Sequence, residues 1–195
     1  MRAFRPTDDR AALRKHCLEL RNQIDPDLKH QYDAHIIAGL LKWLEDKCPE
    51  RPSDAWLALW WPIGSEPDWR NYAPALRMAG WRLALPCVIA PDQALGFAQF
   101  EESTVMRRAA MGIYEPMQPL WIQPWVVTAP CLGFWKAYRL GYGGGFYDRS
   151  MALLDESARA RCAAIAYSKC EISFQPKQND IAFGTVITEQ SISLY

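Results

Sequence analysis

The chain has 195 residues, half of them hydrophobic and 23% charged, which fits one soluble globular domain over 1–195 with a core large enough to fold alone. Lysine plus arginine equals aspartate plus glutamate at 22 each, and that balance argues against a general nucleic-acid binder. The longest apolar run, 55–62, is far too short to cross a bilayer, and the opening residues MRAFRPTDDRAALRK lack the apolar core of a signal peptide.

Residues 8–24 read as a helix that Thr7 or Asp8 can cap. Leu13, Cys17, Leu20 and Ile24 make its apolar stripe. Arg10, Arg14 and Arg21 fall on a second face, because steps of four and seven return a helix nearly to the same direction. Three cations in line repel one another unless water or an anion separates them, so this is either a solvated face or an anion-binding one. A second helix spans 28–47, with Pro26 separating the two, and Pro49, Pro52 and Ser53 break the chain after it.

Beyond that point strand and helix patterns alternate. Ala55–Trp61 is apolar on both alternating faces and reads as a fully buried strand. Gly64, Ser65 and Pro67 form a loop, and Asp68 can cap a helix over 69–79. Residues 81–88 give a strand ending near Pro86, 97–101 a short edge strand, and 125–129 another buried strand. A helix opens from the glycine run over 144–155, and strands follow at 162–167 and 184–188. This order predicts an α/β fold of three layers, a mostly parallel sheet with helices on both faces, and a ligand site beyond the carboxyl ends of strands. None of the six cysteines forms a C-x-x-C pair, and most sit in apolar stretches, so they read as buried thiols. His16, His30 and His35 all fall in the first helical region and read as surface or partly packed residues.

The most informative segment is RLGYGGGFYDR, Arg139 to Arg149. Several glycines together indicate backbone that bends sharply or approaches something closely. Bare N–H groups before a helix make an anion site, with phosphate the usual guest. Arg139 and Arg149 can pair with such a guest, and Asp148 can hold a metal. The segment is neither a Walker A loop nor a G-x-G-x-x-G fingerprint.

A second loop, WWPIGSEPDW, leaves Glu66 and Asp68 at a strand end beside Trp60, Trp61 and Trp69. Glu66 there is either solvated or an acceptor for a flat heterocycle packed on the rings, whereas Asp68 reads as a helix cap. Asp180 precedes the last apolar strand. It is either an exposed loop aspartate or a partner of Asp148 on a divalent cation, since magnesium takes one or two protein carboxylates and completes its shell with phosphate and water.

These pieces, in this order, resemble the 5-formyltetrahydrofolate cyclo-ligase family. The matching segments are RAALR at 10–14, WPIGSEPD at 61–68, LALP at 83–86, GIYEP at 112–116, Pro130 through Phe134, RLGYGGGFYDR, and ND with VITE near the end. The resemblance implies a cytoplasmic, monomeric enzyme without nucleic-acid or membrane partners. It would couple ATP hydrolysis, with magnesium, to cyclisation of 5-formyltetrahydrofolate into 5,10-methenyltetrahydrofolate. Carried over by position, ATP would meet Arg10, Arg14 and the run Arg139, Leu140, Gly141, Tyr142, Gly143, Gly144, Gly145, Phe146 and Tyr147. Arg139 and Tyr147 would be catalytic. Trp61, Glu66, Tyr142 and Phe146 would hold the folate, and Asp148 and Asp180 the metal.

Two positions depart from the family pattern. Trp135, Lys136, Ala137 and Tyr138 follow Phe134 with no glycine, a connector that looks one residue short. Arg10 stands where lysine is common. The altered connector and the nine tryptophans leave open a homologue that binds without turnover, or one acting on another heterocycle.

Overall fold

The computed structural model describes residues 9–109 and 112–195. In chain order its strands are β1 (Trp56–Ala58), β2 (Arg82–Val88), β3 (Leu95–Phe100), β4 (Met106–Arg108), β5 (Tyr114–Pro116), β6 (Val126–Pro130), β7 (Gly133–Trp135), β8 (Tyr138–Leu140), β9 (Cys162–Ile165), β10 (Thr185–Ile187) and β11 (Ile192–Leu194). The helices are α1 (Arg10–Asn22), α2 (Pro26–Lys47), α3 (Ala73–Met78), α4 (Phe146–Ala152) and α5 (Glu156–Ala160). Seven strands form one sheet in the order β11-β10-β9-β6-β1-β2-β3, parallel except for the antiparallel edges β3 and β11. β4–β5 and β7–β8 are separate hairpins. The α/β architecture is the one the alternating pattern predicts.

The two faces of the sheet differ in side-chain size. Leu57, Leu59, Leu83, Leu85, Val126, Ile165 and Ile187 point to the face packed with Ile36, Leu40, Trp43 and Leu44 of α2 and Leu76 of α3. Their neighbours in the strands, Ala58, Ala84, Ala129, Cys162 and Ala164, point to the other face, under Met151 of α4. Period-two alternation sorts them, and the small residues let α4 and the loop before it lie close to the sheet. A third cluster joins Leu13 and Cys17 of α1 to Leu132, Leu140, Cys170 and Phe174. Among the described residues all six cysteines are free and buried, and no helix is long and apolar enough to cross a membrane.

Several boundaries differ from expectation, each for a local reason. The capping role read for Thr7 or Asp8 lies outside the described residues, and Asp9 caps α1 by accepting from the Ala11 and Ala12 N–H groups. α2 begins at Pro26, which sits inside the helix because a first-turn residue needs no N–H partner, and Asp25 caps it. The helix read over 69–79 is divided into a 3-10 turn at Arg70–Tyr72 and then α3, since the ring of Pro74 obstructs a continuous α-helix. β2 runs through Pro86 to Val88, because β1 has already ended and Pro86 lies opposite Phe97 of the edge strand. β1 itself leaves the ladder after Ala58, which frees Trp60 and Trp61 for the loop. The hairpins, α5 and β11 carry no readable pattern because each is only three to five residues long.

The strand order reverses between β1 and β6. β2 and β3 follow on one side of β1, while β6, β9 and β10 extend on the other. In an open parallel sheet this reversal leaves a crevice outside the carboxyl ends of the two strands. The connector that looked short is a two-residue turn, Lys136–Ala137, between β7 and β8, and it leaves Arg139 in register opposite Phe134. Lys136 takes φ 51, a left-handed conformation that glycine adopts without a Cβ penalty. Lys136→Gly is therefore expected to raise the urea midpoint, by a stability gain of up to ~1 kcal/mol. A lower midpoint would mean that the lysine side chain contributes more than its backbone costs.

Candidate active site

A cleft of about 680 Å³ opens at the reversal point. Its walls are Trp60, Trp61, Ile63 and Glu66 after β1, Pro130 at the end of β6, residues 141–149, Arg10 and Arg14 of α1, and Lys177 to Ile181 before β10. Every site residue selected from the sequence lines it except Leu140. Leu140 is fully buried with Leu13 and Cys17, so it anchors the loop and presents no side chain to a ligand.

Gly143 and Gly145 take φ 105 and 69, and Gly145 stands immediately before α4. A Cβ on Gly143 would sit 3.3 Å from Arg14 Cζ, and one on Gly145 would meet Arg149 Nη1 at 2.7 Å, so dihedral and space both call for glycine. The loop's carbonyl groups are engaged by arginines. Arg14 Nε donates to the Gly141 oxygen at 2.8 Å, and Arg149 Nη2 to the Gly144 oxygen at 2.9 Å. Arg149 also bonds the Pro91 and Gln93 oxygens, so it staples the loop to the β2–β3 turn. By contrast, the main-chain N–H groups from Gly141 to Asp148 donate to no described residue. These amides have no partner among the described residues while the Gly141 and Gly144 carbonyls are bound, an arrangement suited to an anion-accepting loop.

Charge is concentrated around this loop. Arg10 forms an ion pair with both oxygens of Asp180, and Asp180 Oδ2 accepts a further bond from the Lys177 N–H at 2.7 Å. Arg139 is 7% exposed, donates from Nη2 to Asp148 Oδ2 at 2.6 Å, and lies over the Tyr147 and Phe183 rings. Asp148 Oδ1 has only the long 3.4 Å bond from the Ile181 N–H. Arg139 Nε and the Tyr147 hydroxyl are buried and unpartnered. Among the described residues no group of three or more His, Cys, Asp or Glu side chains is placed to hold a metal ion. The two aspartates nevertheless suit magnesium chemically, with Asp148 Oδ1 the more available oxygen. The α1 arginine stripe faces the cleft and its loops, so it is not a solvated face.

Glu66 is 1% exposed, with Oε2 accepting from the Ile63 N–H at 3.0 Å and Oε1 unpartnered. Burial raises its pKa to about 7, while the Ile63 N–H, the Arg21 guanidinium and the Tyr142 hydroxyl pull the other way. A solvated Glu66 is thereby excluded, and the residue borders the cleft with one carboxylate oxygen buried and unpaired. Trp61 lines the cleft and packs on Tyr114 at 5.6 Å and edge-on to Phe100 at 6.3 Å. The expected aromatic wall is smaller than three rings, because Trp69 is a core residue away from the cleft, and Trp60, though it borders the cleft, is also buried, their indole N–H groups bonding the Trp60 and Pro67 oxygens respectively. Asp68 caps the following turn through the Arg70 N–H at 3.0 Å and pairs with its guanidinium.

Among the residues of the site not selected from sequence, Glu115 and Arg21 stand out. Glu115 of β5 lines the cleft, nearly buried, and accepts from Arg107 at 2.7 Å and the Val88 N–H at 3.3 Å. Its signal lay within GIYEP, but only the hairpin brings it to the cleft. Arg21, in the α1 stripe, is buried behind Glu66, and periodicity alone could not tell it from a surface residue. The cysteines take no part: burial pushes the Cys87 and Cys131 thiols up to about 12.

The fold has solved counterparts. A 5,10-methenyltetrahydrofolate synthetase from Mycoplasma pneumoniae superimposes with a TM-score of 0.74 at 25% identity, covering 93% of this chain and 99% of that one. The 5,10-methenyltetrahydrofolate synthetase of Aquifex aeolicus gives 0.73 at 22% identity, with coverage of 95% and 92%. No curated protein matches the sequence. The 5-formyltetrahydrofolate cyclo-ligase family matches over residues 6–180, a span that includes every residue of the cleft described above except Ile181, and the chain belongs to that family.

Proposed function

We propose that this chain catalyses the ATP-dependent cyclisation of 5-formyltetrahydrofolate to 5,10-methenyltetrahydrofolate, releasing ADP and phosphate. The observation that carries the reading is one cleft with an unpaired amide loop flanked by Arg10, Arg14 and Arg139 at one side and Glu66 with Trp61 at the other. Family membership and the synthetase structures support the same activity.

The chemistry asks for what this cleft has. A formamide is a poor electrophile with a poor leaving group. Transfer of the terminal phosphoryl of ATP to the formyl oxygen breaks its bond to ADP and cures both faults. The neighbouring folate amine then attacks the formyl carbon and loses its proton, and phosphate departs. Such transfer needs alignment and positive charge more than covalent help. The amides of 141–148 would hold phosphate oxygens, and Arg14 keeps them directed outward by occupying the Gly141 carbonyl. Arg139 would stabilise the transferring group. Burial holds the Tyr147 hydroxyl well above the usual tyrosine range, so at neutral pH it is a hydrogen-bond donor.

Glu66 Oε1 would accept from the N–H groups of the pterin while Trp61, Tyr142 and Phe146 pack around it. Asp148 would hold magnesium through Oδ1, and Asp180 would join when Arg10 turns from it to a phosphate. The metal, when bound, neutralises charge on the phosphates. The 135–138 turn is closed and keeps Arg139 in register, so it gives no support to a homologue without turnover.

Mixing the protein with ATP, magnesium and 5-formyltetrahydrofolate is expected to raise the methenyl absorbance. No ATP-dependent rise would overturn the proposal. Arg139→Ala should lower kcat by roughly 100-fold, as when a transition-state charge contact is lost. An unchanged rate would remove Arg139 from the mechanism. Asp148→Asn should raise the magnesium concentration needed for half-maximal rate while leaving the circular dichroism spectrum intact, and a parental magnesium titration would show the metal assignment to be wrong.

A further inference from the structure

Arg21 sits at the carboxyl-terminal end of α1 and is 2% exposed. Its Nε donates to the Ser65 oxygen at 3.2 Å, and its Nη2 lies 3.5 Å from both the Ile63 oxygen and the Tyr142 hydroxyl. Ile63 and Ser65 belong to the loop that carries Glu66, whereas Tyr142 belongs to the glycine loop. One guanidinium behind the cleft wall therefore joins the two halves of the cleft.

Two buried atoms of this network lack a partner and are complementary in kind: Nη1 of Arg21 and Oε1 of Glu66. A buried cation is costly unless an anion compensates it, and carbonyl or hydroxyl oxygens alone do not. The groups that act on Glu66 or feel its charge are Arg21 from α1, Tyr142 from the glycine loop, Tyr147 from α4 and Cys131 after β6. Of these, Arg21 alone carries positive charge, since burial keeps the two hydroxyls and the thiol protonated.

We propose that Arg21 is a positioning residue for folate recognition: it ties the Glu66 loop to Tyr142 and supplies the positive charge that keeps Glu66 an ionised hydrogen-bond acceptor. The proposal rests on Glu66 being the pterin-binding carboxylate. The sign is determined by the environment. Glu66 titrates near 7, so its ionised fraction grows as pH rises through neutrality. Arg21 lowers that midpoint, and its removal moves the midpoint upward.

Carbon-13 NMR of the Glu66 carboxyl in the unliganded protein, assigned by its loss in Glu66→Gln, tests the charge. Arg21→Gln should move the midpoint up by about one unit or more, and Arg21→Lys should leave it near the parental value. In the cyclisation assay near pH 7, Arg21→Gln should raise the folate KM roughly tenfold with kcat changed less than about threefold, and the loss should shrink as pH rises. An unmoved Glu66 midpoint in folded Arg21→Gln, or a KM penalty equal at every pH, would overturn the proposal. If Arg21→Gln does not fold, Arg21→Lys decides: it keeps the charge but loses the fork, so a parental midpoint with a raised KM supports the tie, and a parental KM overturns it. The titration needs no substrate, so a wild-type chain that fails to cyclise folate sinks the proposed function while leaving the Arg21–Glu66 arm to be read independently.

Discussion

The site depends on which half of each peptide group the protein binds for itself. In the glycine loop the carbonyl oxygens of Gly141 and Gly144 are taken by Arg14 and Arg149, while the N–H groups from Gly141 to Asp148 have no partner among the described residues. Unpaired amides near a protein interior are costly, so this state persists only where something else holds the backbone. Here Arg149 stitches the loop to Pro91 and Gln93, and Leu140 and Met151 bury its two ends. Substitution at Gly143 or Gly145 would act twice, through a positive φ and through collision with those same guanidinium groups.

The arginines divide their labour by burial. Arg14 and Arg149 spend their hydrogen bonds on carbonyl oxygens and set backbone direction. Arg10 and Arg139 are held by Asp180 and Asp148, close to the amides that would receive an anion. Each of those pairs combines a cation suited to phosphate with a carboxylate suited to a metal. Arrival of a metal-bound triphosphate would satisfy both partners at once, exchanging two internal pairs for contacts with the substrate. Arg21 is the most enclosed of the five and reaches the cleft only through its neighbours.

On the Glu66 side of the cleft, the controlling quantity is desolvation of that carboxyl. Its loop leaves β1 after Ala58, bends back, and returns Glu66 to within hydrogen-bond reach of the Ile63 N–H. Burial pushes the carboxyl toward neutrality, and the cation behind it opposes that push. A group balanced in this way binds donors strongly because no water competes, and it is correspondingly sensitive to loss of its countercharge.

The sequence by itself determined the class of fold and the glycine motif, because these rest on local properties, and the family resemblance it carries pointed to about half of the residues that line the cleft. Strand and helix periods are set by side-chain alternation along the chain, and glycines at Gly143 and Gly145 are required by dihedrals that only a few residues tolerate. Boundaries set by cross-strand partners were not local, so Pro86 remained within β2 and Trp69 entered the core in place of the wall. Whether the α1 stripe met water or the site, which groups Arg149 bonds, and where Glu115 came to lie were decided only by tertiary structure. Each depends on contacts between segments far apart in the chain, such as Arg14 with Gly141, Arg21 with Ser65 and Arg149 with Pro91, whose proximity no periodicity encodes.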